Sequence, residues 1–174
     1  MTIKQRLFRL LKRPTMEERA VKAGVKIGEC NTFYTEFWGT EPYLITVGNH
    51  CQITGGVKIF THGGSFVLRD EIPDFDAFGK VVIGDWVYIG NNAMIMPGVT
   101  IGNHVLIAAG SVVTKSVPSG VVVGGNPAKI ICTIEEYKNK NIRFNTNTKS
   151  VAAEDKKKIL LSLDDNKFIT KSSM

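Results

Sequence analysis

The chain has 174 residues, enough for one domain with a sizeable core and too few for two complete ones. Its composition, 43% hydrophobic and 22% charged, is that of a globular protein and excludes a wholly disordered chain. The net charge of +6 invites a polyanionic partner, yet residues 1–22 carry +5, residues 23–133 carry −2 and residues 134–174 carry +3, so the basic surplus belongs to the ends. No aromatic-basic interleaving accompanies that terminal charge, and a nucleic-acid partner is not expected.

At the N-terminus, Ile3, Leu7, Leu10 and Leu11 fall at i, i+4, i+7 and i+8 among Lys4, Arg6, Arg9, Lys12 and Arg13. The spacing predicts a short basic amphipathic helix over residues 1–13, within an N-terminal segment 1–22. It could pack on protein or rest on an anionic membrane surface. The segment lacks the continuous apolar stretch and cleavage site of a secretory signal, and no apolar run approaches the roughly 18 residues of a membrane span. A cytoplasmic protein, at most peripheral at the inner membrane surface, is expected. Cys30, Cys51 and Cys132 form no CxxC pair and read as solitary buried thiols rather than a disulfide framework.

The middle of the chain repeats every six residues. Ile83, Ile89, Ile95, Ile101, Ile107 and Val113 recur without a slip, and Val47, Ile53 and Ile59 keep the same step earlier. Four places after the later six come Val87, Ala93, Val99, Val105, Ser111 and Val117, all small or β-branched. A period of six fits neither a helix nor a free hairpin. It fits a chain that runs straight for five or six residues, turns a corner, and places one aliphatic inward on every flat. Three flats close a triangular coil of about eighteen residues, and stacked coils bury a column of Ile and Val. The Gly or Asn that follows the aliphatic is expected to supply the unusual backbone angles of the corners. Between Ile27 and Val47 an insertion breaks the phase.

The register stops at His62 and resumes at Val81. Residues 63–80, GGSFVLRDEIPDFDAFGK, hold no hexad and read as a loop thrown out of the coil. Phe66, Phe75 and Phe78 give it apolar surface with which to fold down. His50, His62, His104 and Trp86 each stand three places after a lead aliphatic, at a corner pointing outward. His62 alone borders the excursion. The gaps of 12 and 42 residues between the histidines contain no H-x4-H pair, so no metal site is expected.

Ahead of the regular coils, Phe33, Tyr34, Phe37, Trp38 and Tyr43 could stack on sugar rings or cap the open end of the core. Beyond Cys132 the repeat is lost. Residues 133–174 read as a polar extension in which AEDKKKILLSL forms a brief helix.

The arrangement resembles the hexapeptide-repeat acyltransferase family over about residues 25–131. Its most specific parts are Thr61-His62 beside a long loop, the stretch IAAGSVVTKSVP, and the closing GGNPAKII. TEPYLITVGNH, followed by GGVKIFTHGG and FVLR, is similar to the small enzymes of capsular and exopolysaccharide biosynthesis. The resemblance implies an all-β fold, a left-handed parallel β-helix over residues 23–132 of about six coils. It also implies homotrimers with sites between subunits, acetyl-CoA as co-substrate and a carbohydrate acceptor.

Acyl transfer from a thioester to a hydroxyl needs a base for the acceptor proton, and a thiolate leaves readily. An imidazole of ordinary pKa near 6.5 suits the first task, and the resemblance assigns it to His62. Trp86, whose indole N–H can only donate, would face the thioester sulfur or else pack at a subunit contact. The family's acetyl-CoA positions correspond to Asn91, Ala109, Thr114, Lys115 and Lys129. Ala108 stands where the family usually has glycine, and its methyl group is expected to narrow the pantetheine groove. The implied activity is O-acetylation of a sugar hydroxyl. The same chain could serve N-acetylation of a nucleotide-linked amino sugar, acetylation of an antibiotic, or a non-catalytic trimeric scaffold.

Overall fold

The computed structural model describes residues 13–171 and residue 173, so the helix expected over residues 1–13 lies outside the described residues apart from Arg13. The chain divides into two compact units, Met1–Ile134 and Glu135–Met174.

The first unit is a parallel β coil with three flat sides. One side stacks β1 (Lys26–Ile27), β3 (Ile45–Val47), β6 (Val81–Ile83) and β9 (Thr100–Ile101). The second stacks β2 (Thr32–Phe33), β4 (Gln52–Ile53), β7 (Tyr88–Ile89), β10 (Leu106–Ile107) and β12 (Val121–Gly125). The third stacks β5 (Lys58–Ile59), β8 (Met94–Ile95) and β11 (Val112–Val113), with Phe37 bridged to Lys58 above them. Each lead aliphatic lies over its counterpart, as in Ile53 over Ile89 and Ile89 over Ile107. Ile53, Ile59, Ile89, Ile95 and Ile107 are fully buried, each worth about 1.5–3 kcal/mol relative to exposure.

The structure corrects three expectations. Among the described residues the coil has four complete turns and two sides of a fifth, Val117 bridged to Ile101 and then β12, rather than about six, because β12 is closed by the antiparallel β13 (Ala128–Thr133). The left-handed backbone angle falls on the fourth residue of the unit, not on the glycine after the aliphatic. Cys30, His50, Trp86, Asn92 and His104 all have φ between 53° and 60°, and Gly56, Gly98 and Gly110 fill the same place. The glycine after the aliphatic serves close stacking instead. A Cβ on Gly48 would lie 2.8 Å from the Gly84 carbonyl carbon, and one on Gly84 would lie 2.9 Å from that of Gly102. The third correction concerns the thiols, of which only Cys51 is buried while Cys30 is exposed at its corner and Cys132 is half-buried. Burial raises the Cys51 thiol above its ordinary pKa, so it remains protonated and unreactive.

Side chains also tie the corner that follows the first side. Asn49 accepts from the Glu29 amide, Asp85 from the Asn49 amide, Asn103 from the Asp85 amide and Ser119 from the Asn103 amide. This ladder links successive coils beside His50, Trp86 and His104.

A helix the hexad pattern did not indicate, α1 (Met16–Ala23), closes the N-terminal end of the coil. Thr15 and Glu18 form its capping box, and Ala20 is buried in the core. The early aromatics divide by burial, and only the buried pair can help to cap the core. Phe33 and Trp38 are buried with their rings 5.1 Å apart, whereas Tyr34, Phe37 and Tyr43 are exposed. The second unit takes most of α2 (Ile134–Asn141), which the polar reading of that stretch did not anticipate, and α3 (Ala153–Leu161), where a brief helix was expected. No helix among the described residues is long and apolar enough to cross a membrane.

Candidate active site at the opened corner

His62 ends the third side of the second coil, where the next side should begin. The chain instead leaves for residues 63–80 and returns through an antiparallel bridge between Phe78 and His62, with the Gly79 amide donating to the Thr61 carbonyl at 2.7 Å. The two ends of the excursion are thus pinned beside the imidazole. Within the loop, Arg69 Nε donates to the Phe75 carbonyl and Ser65 Oγ accepts from the Ala77 amide. Phe66 and Val67 do not fold down; they are 81% and 74% exposed.

The imidazole is held from the preceding coil. Phe37 pairs with Lys58 at an offset of 21 residues, and the same offset sets Glu41 against His62. Glu41 Oε2 lies 2.8 Å from His62 Nδ1 and accepts the Thr61 hydroxyl at 2.6 Å. The Thr40 hydroxyl is 3.3 Å from the same ring nitrogen. With the proton on Nδ1 donated to Glu41, Nε2 is the free base, and among the described residues it has no hydrogen-bond partner. The Thr61 hydroxyl holds the Glu41 carboxyl below the ordinary carboxylate range against the opposing effect of burial, with help from Thr40 and His62. The Phe78 ring, 5.5 Å from the imidazole, covers another flank. Sequence reasoning missed Glu41 and Thr40, because the broken phase before Val47 hid which residues precede His62 by one coil.

Trp86 does not share this corner. It stands at the far end of the side that begins with β6, between His50 and His104, with ring centroids 4.4 Å and 6.2 Å away and planes within 14° and 3° of parallel. His50 and His104 therefore form an exposed aromatic column with it.

Asn91 and Ala109 occupy successive rungs of the corner between the second and third sides, where the Gly110 amide donates to the Asn91 carbonyl. Thr114 and Lys115 lie two coils beyond His62 on its own corner, and Lys129 sits on β13 opposite Gly124. All five are exposed, and neither Lys115 nor Lys129 has a carboxylate partner among the described residues. Lys115 lines an apolar cavity of about 180 Å³ with Pro118, Val123 and Ile130. The Ala108 methyl faces Gly124, where an added Cβ would come within 3.1 Å of it, so that glycine accommodates the departure noted in the sequence. Among the described residues no three His, Cys, Asp or Glu side chains gather as a metal site.

Comparisons with other proteins agree with this architecture. The family model "Bacterial transferase hexapeptide (six repeats)" matches residues 80–115. Protein CapG of Staphylococcus aureus is 45% identical over 170 residues, covering 95% of this chain and 96% of CapG. The putative lipopolysaccharide biosynthesis O-acetyl transferase WbbJ of Escherichia coli K12 is 40% identical over 96 residues, and the match spans about half of each protein, 50% of this chain and 49% of WbbJ. The hexapeptide-repeat acetyltransferase VCA0836 of Vibrio cholerae, whose crystal structure holds acetyl-CoA, is 33% identical with a TM-score of 0.57, covering 63% of this chain and 60% of that one. With near-full-length similarity to CapG and the stacked hexads themselves, the chain belongs to the hexapeptide-repeat acyltransferase family.

Proposed function

We propose that this protein is an acetyl-CoA-dependent O-acetyltransferase of a sugar hydroxyl in surface-polysaccharide biosynthesis, acting in the cytoplasm as a homotrimer. The observation that carries the reading is His62, held through Nδ1 by an ionised Glu41, with Nε2 free at a corner opened by the excursion loop. Similarity to WbbJ supports the acceptor class, and similarity to VCA0836 supports acetyl-CoA as donor.

In this mechanism His62 Nε2 takes the proton of the acceptor hydroxyl as its oxygen attacks the thioester carbonyl. Glu41 stabilises the resulting imidazolium and keeps the ring in register. Collapse of the tetrahedral adduct breaks the carbon–sulfur bond, and the imidazolium returns its proton to the departing thiolate, leaving an acetyl ester and free coenzyme A. Trp86 donates its indole N–H to the sulfur from the corner of an adjacent subunit. Asn91 and Ala109 line the pantetheine arm, and Thr114, Lys115 and Lys129 hold the phosphates.

The test is thiol release from acetyl-CoA in the presence of a panel of glycans, amino sugars and chloramphenicol, with the product located by mass spectrometry and NMR. An acetyl ester on a sugar is expected. His62→Ala should lower turnover by about two to four orders of magnitude with the fold intact by circular dichroism. Near-wild-type turnover in that variant would remove His62 from the role.

A further inference from the structure

The third side carries an aromatic and cationic surface that leads directly to His62. Residues 37–41 of the first coil run beside residues 58–62 of the second. Along this paired track Phe37 packs on Phe60 with ring centroids 5.3 Å apart, and Lys58 Nζ stands 5.9 Å from the Phe37 centroid. Tyr34, Glu36, Phe37, Gly56 and Lys58 line an open groove of about 320 Å³. Lys58 has no carboxylate or hydrogen-bond partner among the described residues, whereas Glu36 is ion-paired with Arg19. The groove therefore presents one uncompensated charge, a lysine ammonium, between exposed aromatic faces. Such faces suit the apolar side of a pyranose ring, and an unpaired ammonium suits an oxyanion.

We infer that this groove is the acceptor subsite and that it selects an anionic saccharide, whose carboxylate or phosphate binds Lys58 while Phe37 and Phe60 stack on sugar rings. The inference rests on the sugar-acceptor reading above and narrows it. Three residues, four steps of chain spanning at most about 13 Å, separate Lys58 from His62, so the charge sits about one sugar ring or more from the acetylated hydroxyl. The acceptor is then an oligosaccharide or a sugar with a linked phosphate.

Matched acceptors test this: a neutral disaccharide, the same disaccharide oxidised to a uronate, and a phosphorylated form. Wild-type protein should take an anionic form with the lowest KM, an advantage that fades with added salt. Lys58→Met should raise the KM for that acceptor about tenfold while leaving the KM values for the neutral acceptor and acetyl-CoA unchanged, and Lys58→Arg should restore most of the loss. Phe37→Ala should weaken all three saccharides alike. The uronate and phosphate arms decide which oxyanion is taken. An unchanged KM for every acceptor in Lys58→Met overturns the inference and leaves the sugar reading standing. A rise in the acetyl-CoA KM instead assigns Lys58 to the coenzyme and overturns it too. Failure of wild-type protein to acetylate any saccharide removes the functional reading itself.

Discussion

Glu41 carries two loads, one for the imidazole and one for the fold. Its Oε2 accepts from the Thr61 hydroxyl and from His62 Nδ1, so the carboxylate fixes both the tautomer and the orientation of the imidazole. Glu41→Gln keeps the shape and removes the charge that offsets the imidazolium. Turnover should fall by about ten- to a hundredfold with acceptor and acetyl-CoA KM values little changed, because the substitution acts on a charge that develops during the reaction. The same group links stability to pH. Its folded pKa lies below the ordinary 4.5, so its contribution is complete above that value and is lost as the pH falls through the lower folded one. Urea unfolding at successive pH values should show wild type exceeding Glu41→Gln near neutrality and the gap closing below about pH 4.5. His62 itself was legible because it is the one histidine at which the hexad stops. Glu41 was not, since the first coil stands 20 residues from the second on two sides and 21 on the third, rather than eighteen, and no aliphatic step marks the change.

At the scale of elements, the excursion and the stacked corners depend on backbone approach as much as on apolar burial. Gly79 brings the loop back into the coil, and a Cβ there would overlap the Gly98 amide nitrogen and come within 2.7 Å of its Cα. Backbone cannot yield as a side chain can, so Gly79→Ala should destabilise by about 1–3 kcal/mol and displace the strand end that donates to Thr61. A lowered Tm together with a lowered kcat is the expected signature, and loss of stability alone would separate the loop's return from the base. Ile83 to Val113 announced their sides by the strict six-residue step, which works because each coil must place an aliphatic over the one below. What ends the coil followed no such rule. The closure by β13 and the helix α1 are set by hairpin pairing and by the Thr15–Glu18 capping box, which local chemistry records but hexad counting passes over. The glycines of the repeat were visible as glycines, while their purpose, stacking rather than turning, needed the coil-to-coil distances.

For the whole molecule, the separation of His62 and Trp86 decides how a complete site could form. They stand on different corners, at the two ends of the side beginning with β6, and Trp86 is exposed within a column that His50 and His104 hold parallel. A bulky residue at a φ of 58° occupies a conformation that glycine adopts more easily, so the column keeps its shape against a local cost. In a homotrimer of head-to-tail contacts, the corner bearing Trp86 in one copy can face the corner bearing His62 in the next. If Trp86 donates to the leaving sulfur, Trp86→Ala should reduce kcat about a hundredfold. Chains carrying His62→Ala and chains carrying Trp86→Ala, each nearly inactive alone, should regain activity when co-assembled. Random pairing joins an intact His62 to an intact Trp86 across about one seam in four, which sets the ceiling near a quarter of wild-type turnover. Regain at that level places one site between two copies. No regain, with trimers verified by light scattering, would return Trp86 to a packing role and leave His62 with Glu41 as the chemistry of a single chain.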